Sequence, residues 1–85
     1  GKNRGAALVG LAKIAFQKHD YQEAVDRARE GARARGGAEA RVVLGDAYFR
    51  LERYPEARQA YEDALKLDPD NRTARQNLNL VQRRP

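Results

Sequence analysis

The chain repeats itself. Displaced by 33 residues, Leu11 falls on Leu44, Phe16 on Phe49, Tyr21 on Tyr54, Glu23 on Glu56 and Ala24 on Ala57. Small residues coincide as well, Ala12 with Gly45 and Gly31 with Ala64, and no gap is needed from Leu11 to Ala34. A fixed period of this length marks one supersecondary unit used more than once. Such a unit is too small to close a core alone and stacks on its neighbour. A chain of 85 residues supports one core, so the units share it.

The unit is a pair of helices. Ala7, Leu8, Leu11, Ala12, Ile14 and Ala15 recur at helical spacing and predict a first helix over about 6–18, with these residues facing inward. Asp20 caps a second helix, over about 21–35, with Glu23 as its capping-box partner. Gly36-Gly37 stops that helix. A third helix, about 38–51, turns Val43, Leu44, Ala47, Tyr48 and Leu51 inward. Pro55 suits the first turn of a fourth, which runs to Leu67 and halts at Asp68-Pro69. Asn71 caps a fifth, about 72–82, with Ala74, Leu78 and Val81 on one face. Turns this short make neighbouring helices antiparallel. Composition agrees: 15 of the 35 apolar residues are alanine and aromatics are few, which suits close-packed helices better than a sheet.

Leu44-Gly45-x-x-Tyr48, then Ala57-x-x-x-Tyr61, Ala64 and Pro69, resembles the tetratricopeptide repeat signature. The resemblance covers residues 38–71 closely. It covers residues 5–37 more loosely, through Leu8, Leu11, Ala12, Tyr21 and Ala24, and reads residues 72–82 as a lone first helix used as a cap. Arg41 stands where family members usually carry a large aromatic or apolar residue. The resemblance implies an all-α fold, an α-α superhelix: a right-handed solenoid of two helix-turn-helix repeats plus one capping helix. These five helices form a single domain over 1–85, with Gly1-Lys2 a natural linker or an added remnant. Gly45, Ala57 and Ala64 are small where paired helices touch. A helical glycine is unfavourable by about 1 kcal/mol relative to alanine and is tolerated where a bulky neighbour needs the room. Tyr48, Tyr54 and Tyr61 then fill the wedge between pairs, their hydroxyls reaching water.

Chemistry of other kinds is poorly served. Cysteine is absent and histidine single, which excludes disulfides and a cysteine-based metal site. His19 lies beside Asp20 in a turn, and Thr73 is the only hydroxyl outside the tyrosines. Asp68 and Asp70 lack the alternating ligands of a calcium loop, and Gly36-Gly37 lacks the G-K-[ST] of a phosphate loop. No enzyme, cofactor or metal is expected. No apolar run is long enough for a membrane span and no secretory leader is visible, so the expected location is cytoplasmic. The net charge is +5, yet Arg27, Arg29, Arg33, Arg35 and Arg41 run among Asp26 and Glu30, which favours local ion pairs. Arg83-Arg84 reads as a frayed end. Thirteen arginines against four lysines point to a GC-rich bacterial gene, and the chain to part of a larger bacterial protein.

In repeats of this family the first helices line a concave groove. The resemblance therefore implies a partner-binding face of Val9, Lys13, Phe16 and Gln17 from the first helix. The third helix adds Glu39, Val42, Asp46, Phe49 and Arg50, and the fifth adds Gln76, Asn77 and Leu80. Phe16 and Phe49, equivalent one repeat apart, read as core or as groove. Some members grip a partner's C-terminal carboxylate in this groove, but Val43 and Leu80 stand where polar groups would be needed. The expected function is a protein-interaction module, adaptor or scaffold holding a peptide or helix, its partner acidic or mixed in charge through Lys13 and Arg50. Two alternatives follow. One is self-association through open ends of the solenoid, at a first-helix surface bearing Leu8 and Val9. The other is a basic nucleic-acid-binding domain, disfavoured because the tyrosines are spent on packing rather than stacking.

Overall fold

Alanine-rich helices joined by short turns fold back on one another. The computed structural model describes residues 3–84, and all its regular structure is helical: α1 (Arg4–Gln17), α2 (Tyr21–Arg33), α3 (Gly37–Arg50), α4 (Tyr54–Leu67) and α5 (Arg72–Gln82). Gly1 and Lys2, read above as linker or remnant, lie outside the described residues. Among those described, no helix is long and apolar enough to cross a membrane.

The turns follow one rule. His19, Arg35 and Glu52 have φ of +64°, +65° and +61°. The next residue's N–H then returns to the last turn: Asp20 to Ala15 O at 2.9 Å, Gly36 to Gly31 O at 2.7 Å, Arg53 to Tyr48 O at 2.9 Å. This is the Schellman ending, with its left-handed position filled by a side chain instead of glycine. Two expectations are corrected here. α2 ends at Arg33 and the left-handed position of its ending falls on Arg35, not on Gly36; Gly37, at φ +71°, is a second left-handed residue at the start of α3. Gly36 is required for space instead, because a Cβ there would lie 2.7 Å from Gly31 O and 2.9 Å from the Ala40 methyl. The capping box is half made: Asp20 accepts from Glu23 N–H at 3.2 Å, but the Glu23 carboxylate turns away to Arg27 Nε at 2.8 Å. Asn71 caps α5, accepting from Ala74 N–H at 2.9 Å.

The helices pack as successive pairs, α1 on α2 and α3 on α4. The pairs meet through α2 on α3, and α5 closes against α4. α1, α3 and α5 also touch in series, which places the three first-type helices along one side. The larger core is built around Val25, Tyr48, Tyr61 and Val81, with alanines between them. A smaller one joins Val9, Ala12, Ala28, Ala40 and Val43. Tyr61 is 1% exposed and its hydroxyl donates to Asp46, so it does not reach water as the wedge reading had it.

α1 departs from expectation. Leu11 and Ile14 are 47% and 50% exposed, and Ala7 is exposed with them, while Leu8 and Val9 are buried. The repeat explains why. One period on, Ala40, Val43 and Leu44 cluster with Ala28 and Ala32 of α2. No described helix occupies the corresponding place against Ala7, Gly10 and Leu11.

Candidate functional site

Two adjoining cavities open on the side formed by the first-type helices. One, of about 460 Å³, is walled by Lys13, Phe16 and Gln17 of α1 and by Glu39, Val42, Val43 and Asp46 of α3. Asn71 and Thr73 close its far side. The other, of about 290 Å³, is walled by Phe16, Asp46, Phe49, Arg50, Tyr61, Asn77 and Leu80. Phe16 and Asp46 belong to both and form the ridge between them.

Asp46 is the polar centre. It is half-buried and accepts hydrogen bonds from the Tyr61 hydroxyl and from Asn77 Nδ2, the latter at 2.9 Å. Burial holds its carboxyl above the usual carboxylate range, against the pull of those two hydrogen bonds and of the Arg50 charge. Burial, then the Asp46 charge, pushes the Tyr61 phenol up as well, which keeps it a donor. Lys13 and Glu39 form an ion pair across α1 and α3 at the rim. The Arg50 guanidinium donates to the Tyr21 hydroxyl at 3.1 Å and lies 5.1 Å over the Phe16 ring.

The phenylalanines are neither wholly core nor wholly groove. Both are half-buried and pack on the larger core, yet both line cavities. Phe16 meets Tyr21 edge-on at 5.3 Å, and Phe49 meets Tyr54 edge-on at 5.5 Å. Arg84 covers Phe49 at 5.7 Å as Arg50 covers Phe16. Each repeat thus carries the same aromatic pair with an arginine over its phenylalanine, Arg50 at the end of α3 and Arg84 just beyond α5. Arg84, read from the sequence as part of a frayed end, does lie beyond the last helix and exposed, but its side chain is over the Phe49 ring.

Two groove residues fall outside the cavities. Val9 is buried at 3% exposure in the smaller core, because its side of α1 faces α2 and α3. Gln76 is exposed but lines neither cavity. The alignment also misses four cavity residues. Val43 borders both core and cavity. Asn71 and Thr73 sit at a helix start, where helical spacing gives no facing. Tyr61 comes from a second-type helix, and the signature marks it only as packing.

Comparison with known proteins agrees with this geometry. Residues 5–72 match the tetratricopeptide repeat family. The chain is similar to the RNA polymerase-associated protein CTR9 of Caenorhabditis elegans, 32% identical over 76 residues. That match takes in 87% of this chain and 7% of CTR9, so the chain spans a small fraction of that relative's length.

Proposed function

The chain belongs to the tetratricopeptide repeat family, a family of protein-interaction repeats, and from that premise we propose that it is a non-catalytic module holding a segment of another protein in the groove between α1, α3 and α5. The observation that supports this most is the pair of adjoining cavities, apolar along Phe16, Val42, Phe49 and Leu80, with polar side chains at their rims and Asp46 shared between them. Pockets of that kind take apolar anchor side chains from a peptide or helix. The partner is mixed in charge: Lys13 is neutralised by Glu39 at the rim, and Arg50 remains to meet an acidic residue. The setting we favour is an adaptor or scaffold within a larger bacterial protein, in the cytoplasm.

Leu80 gives the sharper test. Phe49→Glu disturbs the contacts with Tyr54 and Arg84 as well as the groove, whereas Leu80 is 51% exposed and lines the second cavity. Affinity capture with wild type and with Leu80→Glu is expected to recover a partner with wild type alone. Equal recovery by both moves the function off the groove.

Self-association is the second reading, and the bare face of α1 favours it. Its residues are Leu11 and Ile14, not Leu8 and Val9 as the sequence had them. Leu11→Lys with Ile14→Lys is expected to abolish any concentration-dependent rise in mass by sedimentation. A wild type that stays monomeric at every concentration removes this reading.

A further inference from the structure

Both donors that reach Asp46 converge on one of its oxygens. The Tyr61 hydroxyl and Asn77 Nδ2 donate to Oδ1, and no donor among the described residues reaches Oδ2. Yet no side-chain oxygen buried among the described residues is left without a partner, so Oδ2 is not sealed from solvent. Asp46 itself lines both cavities. Neither nearby cation forms an ion pair with Asp46: Lys13 pairs with Glu39, and Arg50 donates to Tyr21, lies over Phe16 and acts on Asp46 only through its charge. A half-buried carboxylate on the wall of both cavities is thus hydrogen-bonded by neutral donors only, and one of its oxygens is left without a donor among the described residues.

We propose that Asp46 sets the specificity of the groove: Oδ2 accepts from the ammonium or guanidinium of a partner Lys or Arg, held between two apolar side chains that fill the adjoining cavities. This rests on the groove-binding reading and adds the chemistry of the ligand to it. A charge-assisted hydrogen bond is about twice as strong as a neutral one. The discrimination also works by penalty. A segment with no cation at that point would cover the carboxylate and leave it desolvated and unpaired, which costs more than the missing bond alone. Burial raises the proton affinity of Asp46 in spite of the Arg50 charge, so the carboxylate stands to gain from a further cation.

The conservative variant isolates the effect. In Asp46→Asn the side-chain carbonyl still accepts from Tyr61 and Asn77, while an NH₂ donor replaces Oδ2. The groove keeps its shape and loses its acceptor. A randomised peptide library displayed on phage is panned in parallel on wild type, Asp46→Asn and Leu80→Glu, each checked for an unchanged far-UV CD spectrum. Wild type is expected to enrich two apolar residues flanking a Lys or Arg, and Asp46→Asn the same apolar pair without the basic residue. The best wild-type peptide is then compared with its Lys→Met or Arg→Met form by fluorescence anisotropy. The expected loss is about tenfold or more on wild type and about twofold or less on Asp46→Asn. Enrichment on wild type with no basic preference, or an equal loss on both proteins, overturns this inference alone. Enrichment unaffected by Leu80→Glu, or none on wild type, overturns the groove reading with it.

Discussion

Gly45 and Tyr61 specify each other, and a double-mutant cycle reads this directly. A Cβ built on Gly45 would lie 2.6 Å from Tyr61 Cε1 and 2.8 Å from its Cδ1 and Cζ. The ring cannot retreat cheaply, since it is 1% exposed and tied to Asp46 through its hydroxyl. Gly45→Ala therefore combines a gain of about 1 kcal/mol in helix propensity with an overpacking cost of about 1–3 kcal/mol. The net is a loss of about 0–2 kcal/mol, and Gly45→Leu loses more. In a Tyr61→Leu background the Cε1 and Cζ contacts vanish, and the same Gly45→Ala change is expected to stabilise by up to about 1 kcal/mol. The coupling is then about 1–3 kcal/mol, measured by urea unfolding followed by far-UV CD. In heat the wild-type background should shift by about 4–8 °C per kcal/mol. The first repeat supplies the contrast. There Ala12 and Ala28 stand where Gly45 and Tyr61 stand, and they share the smaller core with no ring between them. If Gly45→Ala raises the urea midpoint equally in both backgrounds, the steric account of this glycine is wrong.

Three further outcomes follow. Glu52 holds a left-handed backbone at φ +61° with an exposed side chain, so Glu52→Gly is expected to raise stability by about 0.5–1 kcal/mol in urea unfolding. The raised proton affinity of Asp46 means that the folded state binds the proton more tightly than the unfolded chain. That contribution is complete below the ordinary carboxylate pKa of about 3.9 and is lost as pH rises through the higher folded value. Asp46→Asn lacks this loss, so its stability relative to wild type should improve from pH 4 to pH 7 in a urea series, and a flat difference refutes the assignment. The Arg84 guanidinium over Phe49 is worth about 0.5–1 kcal/mol at an exposed site, so Arg84→Ala should lower the urea midpoint where a frayed end would not.

Helix boundaries are legible because they are written locally. Asp20, Pro55 and Asn71 place the starts of α2, α4 and α5, and Asp68-Pro69 stops α4 by forcing the residue before proline out of the helical region. Facing in α1 is not written locally. Leu8, Val9, Ala12 and Ala15 form one apolar stripe and Ala7, Leu11 and Ile14 another, and periodicity cannot tell which has a neighbour. Only the first stripe does. The groove is partly legible, since a period of 33 carries Phe16 onto Phe49 and so finds the side on which first-type helices line up. The alignment puts Asp46 on that side as well, but does not give the hydrogen bonds that hold it. Gly45 has no side chain, so the ring of Tyr61 packs directly against α3, and its hydroxyl meets the carboxylate one residue on. The signature registers Gly45 and Tyr61 as packing residues and the alignment puts Asp46 on the groove side, but neither joins Tyr61 to Asp46. The packing of Tyr61 on Gly45 delivers a donor to one oxygen of Asp46, so the steric fit that requires glycine at 45 also fixes the hydrogen bonding of the carboxylate between the two cavities.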